Sequence, residues 1–87
     1  MFYIYLLESE KNKSLYTGYT SDLKKRLIEH NQKKNISTKA YAPWKLIYYE
    51  ACIDIQDARR REYYLKTTQG KRLLKRRLKE YLYKNKK

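Results

Sequence analysis

The chain has 87 residues, with 22 Lys or Arg against 9 Asp or Glu and a net charge of +13. That length allows one domain with one modest core, and so large a like charge repels itself unless a polyanion relieves it, which points to nucleic acid. A single Cys and a single His exclude an internal disulfide and a zinc site of the usual ligand count.

The run Phe2 to Leu7 is aromatic and β-branched and reads as a strand. It lacks a basic segment before it and ends at Glu8, too short for a signal peptide or a membrane span. With the lone Cys52, this predicts a soluble, cytoplasmic protein. Ser14 to Tyr19 reads as a second strand, forming a hairpin with a six-residue loop. Pairing Leu7 with Ser14 would set Tyr5 opposite Tyr16 and Tyr3 opposite Gly18, though a one-residue slip would separate the rings.

A helix follows over about Asp22 to Gln32, capped by Thr20 or Ser21 with Asp22 in its first turn. Leu23 and Leu27 form its apolar stripe, Arg26 and His30 share that face, and Lys24, Lys25 and Glu29 take the outer side. Lys33 to Ala42 is a polar loop closed by Pro43, and Trp44 to Glu50 alternates as a third strand. Asp54 caps a second helix over roughly Ile55 to Thr67, ended by Gly70, with Ile55, Ala58, Glu62 and Leu65 on one face. The last helix, about Lys71 to Tyr83, carries Leu74, Leu78, Tyr81 and Leu82 inward and Arg72, Lys75, Arg76 and Lys79 outward. Residues 84–87 read as a frayed basic tail. From Gln56 onward there are 13 Lys or Arg against 3 acids, so the positive field belongs mainly to the C-terminal helices.

Arg26, His30 and Glu62 fall on inward faces, where long charged groups need partners. The bland readings are a structural ion pair for Arg26 and Glu62, a satisfied rim histidine for His30, and the i, i+4 pair of Glu62 with Lys66. Two tyrosines, an Arg, a His and a Glu together also describe phosphodiester hydrolysis. Water must lose a proton, a guanidinium can stabilise the developing phosphorane charge, and a carboxylate can hold a divalent ion. Tyrosine ionises near pH 10, so a tyrosine base requires nearby cations to lower its pKa.

Tyr3-Ile4-Tyr5, then Tyr16-Thr17-Gly18, resembles the paired motif of the GIY-YIG nucleases. The similarity continues through Thr20, Asp22, Arg26, His30-Asn31, Pro43-Trp44, Ala58, Glu62 and Lys66, and covers Phe2 to about Leu74. It is nearest to the small stand-alone branch related to the N-terminal nuclease module of the UvrC excision-repair protein. Two departures, Tyr3 for the first glycine and Thr17 for isoleucine, fall on strand positions.

The resemblance implies an α+β domain, a three-stranded antiparallel sheet flanked by helices, and one divalent ion, Mg2+ or Mn2+. It implies catalytic roles for Tyr5, Tyr16, Arg26, His30 and Glu62, with either tyrosine as base and Glu62 as metal ligand. Gly18, Lys24, Lys25, Lys66, Arg72, Lys75, Arg76 and Lys79 are the expected nucleic-acid contacts. The expected function is a low-specificity or structure-directed endonuclease of repair or recombination, acting on branched, nicked or single-stranded DNA. The alternative is a binding module of the same fold for DNA or RNA. Family members commonly borrow specificity from a separate domain, so a partner protein is a further expectation. Membrane binding is disfavoured, because the leucines of the last helix are needed for the core.

Overall fold

The computed structural model describes residues 1–85. In chain order it runs β1 Phe2–Ser9, β2 Leu15–Thr20, α1 Leu23–Asn31, a short 3-10 turn Lys39–Tyr41, β3 Trp44–Cys52, α2 Ile55–Leu65, α3 Thr68–Arg77 and α4 Lys79–Asn85. The sheet order is β2-β1-β3, antiparallel throughout, as the sequence implies.

β1 is central because its apolar run is covered from both sides. Ile4 and Leu6 face a core with Ala58, Leu65 and Leu74, whereas Tyr5 and Leu7 face a second core with Trp44, Leu23 and Leu27. Burying each such aliphatic side chain contributes about 1.5–3 kcal/mol. One strand therefore joins the helix α1 side to the α2–α3 side, and the site forms where the two meet around the β2 edge.

The strands outlast their sequence forecast. β1 continues through Glu8 and Ser9, both buried because each is satisfied. The Ser9 hydroxyl donates to the Tyr41 carbonyl at 2.6 Å and accepts from the Lys11 and Asn12 amides, fastening the hairpin turn to the 3-10 turn. Glu8 accepts from the Tyr81 hydroxyl at 2.6 Å.

The helix termini need three corrections. Asp22 itself caps α1, its carboxylate accepting from the Lys25 amide at 3.1 Å, while Thr20 accepts from the Asp22 amide instead. Gly70 does not end α2. Thr67 caps α3 by accepting from the Gly70 amide at 3.1 Å, and Gly70 lies in the first turn of that helix. A side chain there would collide with the Tyr64 carbonyl and the Leu65 Cα, so glycine serves close helix–helix approach rather than termination. Finally, the single C-terminal helix of the sequence reading is two helices, broken at Leu78 (φ −106, ψ 23). The break re-aims α4 so that Tyr81 reaches Glu8. Leu74 is buried and Leu78, Tyr81 and Leu82 are half-buried, so the expected apolar stripe survives the bend. Lys84 and Asn85 are helical rather than frayed, and Lys86 and Lys87 lie outside the described residues. Among the described residues, no helix is long and apolar enough to cross a membrane.

Candidate active site

The hairpin register places Tyr5 opposite Gly18, Leu7 opposite Tyr16 and Tyr3 opposite Thr20. This is two residues from the pairing expected, because the turn is shorter: the Ser9 amide already bonds the Ser14 carbonyl at 2.8 Å. The shift is an even number, so Tyr5 and Tyr16 keep a common face as diagonal neighbours, with ring centroids 6.4 Å apart. The Tyr5 ring lies flat across Gly18, and a Cβ at that position would strike its hydroxyl and ring. Gly18 is thus a cradle for Tyr5, and its direct contact in the fold is that tyrosine.

Tyr5 is 2% exposed, and its oxygen is 2.8 Å from His30 Nε2. His30 is fully buried, and its Nδ1 is 2.7 Å from the Thr38 hydroxyl. Arg26 Nε donates to the Tyr5 oxygen at a long 3.4 Å, and Arg26 Nη1 donates to Glu29 at 3.2 Å. Because Arg26 already donates to that oxygen, we assign the Tyr5 proton to His30 Nε2, with Nδ1–H donating to Thr38. The Thr38 carbonyl in turn accepts from the Trp44 indole at 2.8 Å. Asn31 grips the Trp44 backbone through both amide and carbonyl, so the α1 end, the loop and the start of β3 move as one piece.

Burial dominates the electrostatics here. It pushes the Tyr5 hydroxyl up to about 12, against the opposing pull of the Arg26 bond and charge, with smaller upward pushes from Tyr16 and Glu62. The expected lowering of a tyrosine pKa by cations is therefore not met at Tyr5: desolvation outweighs Arg26. Burial also holds His30 down at about 4, assisted by the Arg26 charge and opposed by Glu29. His30 is neutral at neutral pH. Arg26 is held more firmly protonated, first by its bond to Tyr5.

A neutral His30 in the fold makes stability depend on acid. The unfolded histidine titrates near 6.5, so between 6.5 and about 4 the unfolded chain binds the extra proton. Stability is full above that window and falls as pH drops through it, by on the order of 3 kcal/mol. Urea midpoints measured across the window should fall in wild type and follow a shallower slope in His30→Gln. Identical slopes would show that other groups carry the acid response.

Glu62 enters from α2, which packs on the sheet. It is 23% exposed at the side chain and pairs with Lys66 at 3.0 Å, while Lys66 Nζ lies 6.0 Å from the Tyr16 ring centroid. The i, i+4 pair is therefore real, yet it sits against Tyr16 and within electrostatic reach of Tyr5 rather than alone on the surface. Arg26 and Glu62 do not pair with each other; Arg26 takes Glu29 of its own helix.

Tyr5, Tyr16, Arg26 and His30 thus form one contact cluster on Gly18, and Glu62 approaches it through Lys66 and through its charge near Tyr5. Lys75, Arg76 and Lys79 line a groove leading away from it. Lys24 and Lys25 stand on the outer side of α1 beside Asp22 and Glu29, and Arg72 is exposed on α3 and lines neither part of that groove. Sequence reasoning passed over Thr38, whose only signal was its place in a polar loop.

The profile of the GIY-YIG catalytic domain matches residues 1–77. The chain belongs to the GIY-YIG family. Similar proteins include the UPF0213 protein CPE1444 of Clostridium perfringens, 42% identical over 67 residues, spanning 76% of this chain and 71% of that one. The UPF0213 protein SSP2268 of Staphylococcus saprophyticus is 40% identical over 74 residues, spanning 84% and 89%. The solution NMR structure of the UPF0213 protein BH0048 from Bacillus halodurans shares the fold at a TM-score of 0.52 and 33% identity, over 85% of this chain and 82% of that one. Membership makes this a nuclease-type domain of the small UPF0213 kind.

Proposed function

We propose that this GIY-YIG protein is a divalent-metal-dependent endonuclease that hydrolyses phosphodiester bonds of DNA in the cytoplasm, with little sequence preference, in repair or recombination. The observation that carries the reading is the convergence of Arg26 and neutral His30 on one buried tyrosine hydroxyl. Such a hydroxyl is not a standing phenolate. It works as a relay: as the attacking water gives a proton to the Tyr5 oxygen, Tyr5 passes its own proton to His30 Nε2. Arg26 then stands ready for the negative charge that develops on the phosphoryl oxygens. Tyr16, half-exposed at the mouth of the cleft, orients the water or the phosphate.

Among the described residues, no group of three or more His, Cys, Asp or Glu side chains could hold a metal ion. Glu62 alone fits the magnesium pattern of one carboxylate supplemented by water and substrate phosphate. It would hold Mg2+ or Mn2+ on exchanging its bond to Lys66, and the ion would supply charge neutralisation at the leaving oxygen. The Glu62–Lys66 pair also favours a second reading, a binding module of the same fold that grips DNA or RNA without cutting.

One experiment separates the two. The full chain is incubated with nicked, branched and single-stranded DNA in Mg2+ or Mn2+, in chelator, and as Glu62→Ala. The nuclease reading expects cleavage in the metal-containing wild-type sample alone. Equal survival of all substrates in every sample, with binding intact, establishes the binding module.

A further inference from the structure

Beside the cleft, a groove runs between the hairpin and the C-terminal helices. Its two lobes share Lys13, Leu15 and Lys75, so they form one continuous trough. The near lobe begins at Tyr16, which packs on Tyr5 and His30, and at Lys66, which pairs with Glu62, and the far lobe ends at Tyr83 on α4. Six cations line it, Lys13, Lys66, Lys71, Lys75, Arg76 and Lys79, and among the described residues no acid does. The floor of the far lobe is apolar. Leu15 is 38% exposed and Tyr83 57% exposed.

We propose that this trough binds one strand of unpaired polynucleotide and leads it to or from Tyr16. The argument is one of complementary surfaces. A duplex presents phosphates outward and keeps its bases stacked inside, so it leaves nothing apolar for Leu15 and Tyr83 to meet. An unpaired strand offers both faces at once: phosphates for the cations on the rims, and base planes for the aromatic and aliphatic floor. The bend at Leu78 is what makes the far lobe, since it turns α4 and Tyr83 beside Lys13 and Leu15. The Tyr81–Glu8 bond holds that bend against β1. The positive φ of Lys13, 65°, belongs to the tight hairpin turn that presents its side chain to the same lobe. The proposal depends on the nuclease reading only for the meaning of the cleft at one end, since the groove can bind a strand that is never cut.

The test is fluorescence anisotropy on the full chain in chelator, so that cleavage does not enter. The probes are oligodeoxyuridylate and oligouridylate of about 15 nucleotides and a mixed-sequence duplex of equal length. We expect at least one single strand to bind about ten-fold tighter than the duplex at equal salt. The double variant Leu15→Ala, Tyr83→Ala should erase most of that preference while leaving the salt dependence unchanged. Lys75→Gln, Arg76→Gln should lower the slope of affinity against salt by about one per charge removed. Lys34→Gln, Lys39→Gln, outside the trough, should leave the preference intact. The stronger of the two single-stranded probes identifies the sugar, and either result supports the proposal. Equal affinity for duplex and both single strands overturns it, as does a preference unchanged in both trough variants. Strand binding without any metal-dependent cleavage would remove the nuclease reading and leave the groove assignment standing.

Discussion

Arg26→Ala is expected to lower the single-turnover cleavage rate by about 10²- to 10³-fold, the usual effect of removing one donor from developing oxyanion charge. The side chain is placed for this by its bonds. Its Nε leans on the Tyr5 hydroxyl and its Nη1 on Glu29, which fixes the guanidinium charge beside Tyr5. The bond to Tyr5 is long at 3.4 Å, so little of the guanidinium's capacity is spent on the resting fold. Affinity for uncut nucleic acid should change by no more than about three-fold, because many exposed cations share the phosphate contacts. Arg26→Lys should recover only part of the rate, since an ammonium supplies charge without the paired planar donors. Rate and affinity falling by the same factor in Arg26→Ala would make the residue a plain phosphate contact and contradict this role.

Much of this arrangement can be read in the sequence, and the parts that cannot share a physical reason. Local rules gave the elements: the aromatic and β-branched run of β1, the Asp54 cap, and the helical spacing that aligns Arg26 with His30 and Ala58 with Glu62. Those rules depend on near neighbours only. The hairpin register, by contrast, depends on how Ser9 and Asn12 close the turn, through bonds of the Ser9 hydroxyl and amide and of Ser14 to the Asn12 side chain. Gly70 reads as a terminator because glycine often is one; its real constraint is the backbone of the preceding helix at Tyr64 and Leu65, against which α3 packs. The break at Leu78 answers to Glu8, 73 positions from Tyr81. Thr38 shows the same limit, a loop threonine whose importance is set entirely by the histidine nitrogen it faces. The sign of the Tyr5 shift was the hardest to foresee. A net charge of +13 suggests lowered pKa values everywhere, but the cations lie on the surface while Tyr5 lies beneath it.

That last point determines what Tyr5→Phe should do. With its hydroxyl pushed up to about 12, Tyr5 contributes as a neutral proton carrier between water and His30. Removing the oxygen ends the relay, and cleavage should fall by about 10²- to 10⁴-fold, the range for a lost acid–base partner. The ring that fills the space over Gly18 is retained, so the hairpin keeps its packing. The stability cost should be about 1–3 kcal/mol, the price of leaving His30 Nε2 buried without a partner. The pH profile separates a relay from mere packing. In wild type the rate should fall as pH drops toward about 4, where His30 takes its own proton and Nε2 can no longer accept. The residual rate of Tyr5→Phe should lack that acid limb, because His30 no longer takes part. Tyr16→Phe should retain the limb, since no bond joins Tyr16 to His30 and the two meet only ring to ring, at 5.3 Å. Retention of the limb in Tyr5→Phe, or a rate within about three-fold of wild type, would move the base to Tyr16 and leave Tyr5 a core residue.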